Sequence, residues 1–283
     1  MISSAGMRLS ARLHLRLSAR LHRAVALLGV LVLTSSAMAN DIAPAVRSEL
    51  APGGKLRIGV NYGNFLLVTS MTPEPRGVAP DVGRELGRRL GVPVEFVGFD
   101  SAGKLGDGVR TAAWDVAFLG AEPQRAADIA FTAAYLEIPS TYLVPAGSPI
   151  RSVDEVDREG VRIAVAEQSA YGLYLSRTIK RARLVLTKGL DASFDAFVNE
   201  KLEALAGLKP RLLTDVAKLP GARVLDGQFT AVQQAIGTPR NREAAAQYLR
   251  AFVEDVKASG LVADAIARHA VPGVSVAPLS PAR

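Results

Sequence analysis

Two kinds of apolar spacing alternate along this chain, and the alternation occurs twice. Residues 55–60 form a short β-rich run, 80–90 place apolar residues at helical spacing, and 92–99 are β-rich again, so the first unit reads strand, helix, strand. Pro80 near the helix start and Gly91 just past its end are the expected punctuation. A further strand at 116–119 is apolar throughout, the pattern of a strand covered on both faces of a parallel sheet. The same order restarts with a strand at 161–165, a helix at 170–180, a strand at 182–186 and a helix at 192–199. Between the two units, 142–149 reads as a strand that ends in the turn formers Pro145, Gly147 and Pro149. After the second unit come an apolar strand at 230–236 and a helix at 240–259 with Ala244, Tyr248, Leu249, Phe252 and Val256 on one face. A last helix is expected at 261–269, and the tail at 272–283, with Pro272, Pro278 and Pro281, is expected to fray. Two α/β lobes joined by extended segments predict a cleft between them, with ligands outside the carboxyl ends of the strands. Two α/β domains with no ligand between them are the plainer alternative.

The first 39 residues follow a different logic. Arg8, Arg12, Arg16, Arg20 and Arg23 precede an unbroken apolar run at 24–33, and Ala37-Met38-Ala39 fits a small-x-small cleavage site. This is the pattern of a cleavable secretory signal peptide. The apolar run is about half of the ~20 residues a membrane-spanning helix needs. A working protein beginning near Asn40 is expected to lack a membrane anchor and to be soluble, with 40–54 as a lead-in. Met7 is an alternative start.

Composition then removes several functions. Five of the 34 basic residues and none of the 27 acids lie before Asn40, so cleavage lowers the formal charge from +7 to +2. With no basic stripe interleaved with aromatics, nucleic acid is not an expected partner. The chain has no cysteine, which removes disulfide and thiol chemistry. His269 is the one histidine left after residue 39, too little for a multi-imidazole metal site or a Ser-His-Asp triad. No cofactor is expected.

Several segments in order resemble a known family: Leu56-Arg-Ile-Gly-Val60, Gly77-Val-Ala-Pro-Asp-Val82, Leu86-Gly-Arg-Arg-Leu-Gly-Val92, Val94-Glu-Phe-Val97, Trp114-Asp-Val-Ala-Phe118, Glu122-Pro-Gln-Arg125 and Ile129-Ala-Phe-Thr-Ala-Ala-Tyr135. Together, from residue 55 to 269, they are similar to the bacterial extracytoplasmic solute-binding proteins of family 3, the amino-acid-type substrate-binding proteins of ABC transporters. The resemblance implies an α/β fold of the periplasmic-binding-protein type II, with 55–145 and 231–271 in lobe 1 and 146–230 in lobe 2. It implies crossings near 143–146 and 229–231, and closure on a small carboxylate or amino-acid-like solute that is passed to an inner-membrane permease.

The resemblance also places candidate ligand residues. Arg125 matches an arginine that forks onto the ligand carboxylate, as a guanidinium can; the plainer reading is a solvated arginine at a helix end. Ser169 stands where a hydroxyl and free helix amides bind the same group, or where it serves as a helix cap alone. Tyr171, within the first turn of the same helix, faces either the cleft or solvent. Asn61, Tyr62, Asn64 and Phe65 follow the first strand and either wall the pocket or form a turn around Gly63. Gly120 offers its backbone amide, whereas Phe118 departs from the small polar residue common at its position. Trp114 and Asp115 are assigned to structure. A second departure is larger: Gly207-Leu208-Lys209 replaces the segment where an aspartate for the α-ammonium is implied, leaving Glu167 and Glu122 as substitutes, or a carboxylate ligand without an amine. The competing functions are a prephenate-type dehydratase on the same fold, with Glu167 as the general acid, and a ligand sensor that docks on a membrane receptor.

Overall fold

A computed structural model describes residues 42–281; the expected signal peptide lies outside them. The lead-in is structured: α1 (Pro44–Leu50) buries Val46 and Leu50. Two hydrogen bonds fasten it, Arg242 Nη1 to Glu49 O (2.6 Å) and Ala245 N to Glu49 Oε2 (2.8 Å).

The first unit is β1 (Leu56–Asn61), α2 (Val78–Leu90), β2 (Val94–Phe99), α3 (Ala102–Asp107) and β3 (Val116–Gly120). In α2, Val78, Val82, Leu86 and Leu90 recur every four residues and are all buried, which is why the segment folds as a helix against the sheet. Gly91 ends it in a left-handed conformation (φ 68°), which a side chain would disfavour. β3 is buried at every position, as its apolar run predicts.

β4 (Ile129–Val144) begins thirteen residues before the strand expected at 142–149 and ends at Val144, just before the turn formers. Its partner β9 (Thr230–Pro239) runs antiparallel beside it from Ile129↔Pro239 to Ser140↔Thr230. The second unit comprises β5 (Arg162–Ala166), α4 (Ala170–Thr178), β6 (Arg183–Thr187), α5 (Leu190–Asn199), β7 (Ala204–Leu208), α6 (Lys209–Val216) and β8 (Arg223–Val224). The strand order β2-β1-β3-β9-β4-β7-β5-β6 joins both units. β4 gives its early residues to β9 and its last ones, 140–143, to β7, so β4 and β9 are the strands that lead from one lobe to the other. β1 is parallel to β2 and β3, and β5 to β6 and β7. The carboxyl ends of these parallel strands point into a common cleft.

Two further helices, α7 (Glu243–Ala258) and α8 (Leu261–Arg268), follow β9. Asp115 is fully buried and binds Arg57 in a fork, with Nε and Nη2 each at 2.9 Å, while Arg242 Nη1 adds a third contact at 2.9 Å. Burial alone would raise the Asp115 carboxyl, but the hydrogen bonds from Arg57 and Arg242 hold it below its ordinary value. Trp114 is also fully buried, its Nε1 donating to Leu105 O (2.9 Å).

The tail does not fray as its prolines suggest. β10 (Ser275–Val276) pairs with β4, Ala277 is buried, Lys257 Nζ donates to Pro278 O (2.8 Å), and Ser280 N donates to Glu254 Oε2 (3.0 Å). A strand edge and a buried lysine tip supply partners that proline content alone cannot reveal. Among the described residues, no helix is long and apolar enough to cross a membrane, and no group of three or more His, Cys, Asp or Glu is placed to hold a metal ion.

Candidate functional site

The cleft encloses about 530 Å³, enough for a small metabolite. Lobe 1 contributes the ends of β1, β2 and β3, lobe 2 contributes the ends of β5, β6 and β7, and β9 supplies Val232 and Gln234.

Arg125 sits in a single 3-10 turn, Arg125–Ala127, just after β3. Its Nη1 donates to Gly120 O (2.7 Å), and its Nη2 reaches across to Gln168 O (2.5 Å) in lobe 2. Gln168 presents that carbonyl from a left-handed backbone (φ 54°), a conformation that persists in a non-glycine residue only where its surroundings enforce it. No carboxylate among the described residues forms an ion pair with Arg125, so the cation meets only neutral carbonyl oxygens. Burial pushes the guanidinium down to about 10, with Glu122 and Asp107 opposing; it remains charged at neutral pH.

Ser169 caps α4. Its Oγ accepts from Gly172 N (2.9 Å) and donates to Ala166 O (2.8 Å), so its hydroxyl proton is already committed. The amides of Ala170 and Tyr171, two residues that line the cleft, have no acceptor among the described residues, at the positive end of the helix. Tyr171 is buried, its hydroxyl has no partner within hydrogen-bond geometry among the described residues, and burial raises its pKa to about 12, with Ser169 opposing, which keeps it protonated. Gly120 lines the cleft because lobe 2 comes close there: a Cβ on it would lie 2.6 Å from Ala170 Cβ.

The loop after β1 divides. Asn61 and Asn64 line the cavity while also building its turns, Asn61 Oδ1 accepting from Gly63 N (3.0 Å) and Asn64 Oδ1 from Leu66 N (3.2 Å). Tyr62 and Phe65 do not line it. They are 47% and 38% exposed, and the Tyr62 ring lies alongside Gly98 of β2, because the turn at Gly63 directs them outward. The apolar wall comes instead from Phe118, Val232 and Leu208.

Several lining residues were missed in the sequence. Gln234 is 6% exposed and its Oε1 has no partner among the described residues; the signal was available in the alternation of β9, where Val232 and Gln234 share a face. Lys188 follows β6 and lines the cleft, with no ion pair among the described residues. Of the two substitute acids, Glu122 does not line the cavity and pairs with Arg177 Nη1 at 2.8 Å, whereas Glu167 lines it and forms no ion pair among the described residues.

This geometry defines a two-lobed binding protein, with a cationic anchor and free helix amides facing each other across a cleft. Residues 56–270 match the family described as bacterial extracellular solute-binding proteins, family 3, and the chain belongs to that family. Among solved structures, the solute receptor for L-cysteine of Neisseria gonorrhoeae has a TM-score of 0.68 at 19% identity, covering 81% of this chain and 94% of the receptor. A mutant of ArgBP from T. maritima gives 0.65 at 18% identity, covering 79% and 98%. The ancestral amino acid-binding protein AncCDT-1, a precursor of cyclohexadienyl dehydratase, gives 0.64 at 18% identity, covering 78% and 97%. The fold is that of the type II periplasmic binding proteins. No curated protein matches the chain.

Proposed function

We propose that this protein captures a small carboxylate-bearing, amino-acid-like solute between its lobes and delivers it, as a soluble monomer in the periplasm, to an ABC transporter permease. The observation that supports this is Arg125, a guanidinium in the cleft with no anionic partner among the described residues, opposite the amides of Ala170 and Tyr171, which have no acceptor among them. A carboxylate would take its charge-assisted hydrogen bonds from both lobes at once, which couples binding to closure. Lobe 1, at 55–145 and 231–271, and lobe 2, at 146–230, would then move about the β4 and β9 crossings. Structural neighbours complexed with lysine and bound to L-arginine support the ligand class.

Thermal melting against L-amino acids and organic acids tests the reading. A ligand at about 100 times its Kd adds about 2.7 kcal/mol, so a binder raises the melting temperature. No shift with any carboxylate would defeat the proposal.

A further inference from the structure

Gln234 occupies a defined place beside the Arg125 anchor. It pairs with Gly120 in the β3–β9 register, and residues directly opposite each other project to the same face. The direction a side chain would take from Gly120 leads to Ala170, Val232 and, at 3.7 Å, Arg125 Nη1. Gly120 O itself holds Arg125 Nη1 at 2.7 Å. The Gln234 carboxamide is thus aimed into the cleft next to the cation, buried, with its Oε1 unpartnered among the described residues. Its neighbour Gln233 projects to the other face and is exposed, its Nε2 donating to Ala231 O.

A buried acceptor without a donor is costly, and the cavity is where a donor can arrive. The cation on the same face favours the oxygen end of the carboxamide pointing inward. Three of the acids that line the cleft are already held by cations: Asp100 by Lys104 (2.6 Å), Asp107 by Arg110 (3.2 Å) and Asp191 by Arg211 (2.6 Å). We propose that Gln234 is a specificity-determining residue whose Oε1 accepts a hydrogen bond from an N–H of the bound solute, close to the carboxylate held by Arg125. The inference rests on the carboxylate reading above and narrows it to solutes with a nitrogen donor near the carboxylate. A neutral carboxamide accepts from an ammonium or an uncharged N–H alike.

Calorimetric titration with L-amino acids, each matched to the carboxylic acid lacking its amino group, tests this on the mature protein. The unaltered protein should prefer the amino compound. Gln234→Met should weaken its binding about ten-fold while changing the matched acid by less than about two-fold. A Gln234→Met protein that keeps the preference overturns the inference, as does a preference abolished by Glu167→Gln but not by Gln234→Met. Equal binding of both compounds by the unaltered protein overturns it while leaving the carboxylate reading intact. No carboxylate binding at all overturns both. If Gln234→Met does not fold, Gln234→Glu should keep the amino compound and lose the matched acid, since a second negative charge would face an uncompensated carboxylate; unchanged affinity for both would count against the assignment.

Discussion

Replacing Arg125 by methionine separates the cost of the anchor from its use. Lowering the guanidinium from 12.5 to about 10 corresponds to roughly 3 kcal/mol against the charged form. Water reaching the half-buried side chain reduces this, and the carbonyls of Gly120 and Gln168 each lose a hydrogen bond, so a net gain of about 1–2 kcal/mol is expected for the ligand-free variant. For a chain of this size that raises the melting temperature by roughly 2–8 °C. Because the folded-state pKa is depressed, the penalty is fully present below about pH 10 and fades as the pH rises towards 12.5. The variant should therefore melt higher at neutral pH, while losing about 10- to 150-fold in affinity for a carboxylate solute, the worth of charge-assisted bonds. Differential scanning fluorimetry with and without solute reads both effects. A variant that melts lower and still responds to the solute would refute the reasoning on each count.

Three other outcomes follow from the packing. Gly120→Ala places a Cβ 2.6 Å from Ala170 Cβ and 3.0 Å from Val232 Cγ1, so it should hold the lobes apart and weaken solute binding; an unchanged Kd by calorimetry would contradict this. Asp115→Ala strands Arg57 and Arg242 and should cost about 3–5 kcal/mol in urea unfolding; a loss under about 1 kcal/mol would place the network outside the stability core. Glu85 is held at about 2 first by the hydrogen bond from Arg88, with burial opposing and Arg89 assisting. Its stabilisation is present above the ordinary value of 4.5 and lost as the pH falls through about 2, so acid unfolding of Glu85→Gln should show a shallower pH dependence than that of the unaltered protein.

The sequence was most legible where one period dominated. The four-residue stripe of α2 and the apolar run of β3 each have a single solution. β4 was harder, because its burial changes along its length as it passes from β9 to β7, and Pro139 sits within it. α3 and α6 are short helices of six and eight residues, too brief for periodicity to stand out. In the site, Arg125 and Ser169 were visible because each follows a strand end. Gln234 was hidden because β9 was read as uniformly apolar, and Lys188 because one-dimensional spacing does not say which strand ends share a cleft. Tyr62 and Phe65 were expected at the cavity wall and lie outside it, since the turn at Gly63 reverses the direction that their proximity to β1 suggests.

The most direct test of the central claim is a crystal structure grown with the solute that raises the melting temperature most. The account predicts a carboxylate in the cleft within about 2.7–2.9 Å of the Arg125 guanidinium, with the amides of Ala170 and Tyr171 facing its second oxygen. A solute bound elsewhere, or one in the cleft whose carboxylate leaves Arg125 on its present carbonyl partners alone, would contradict it.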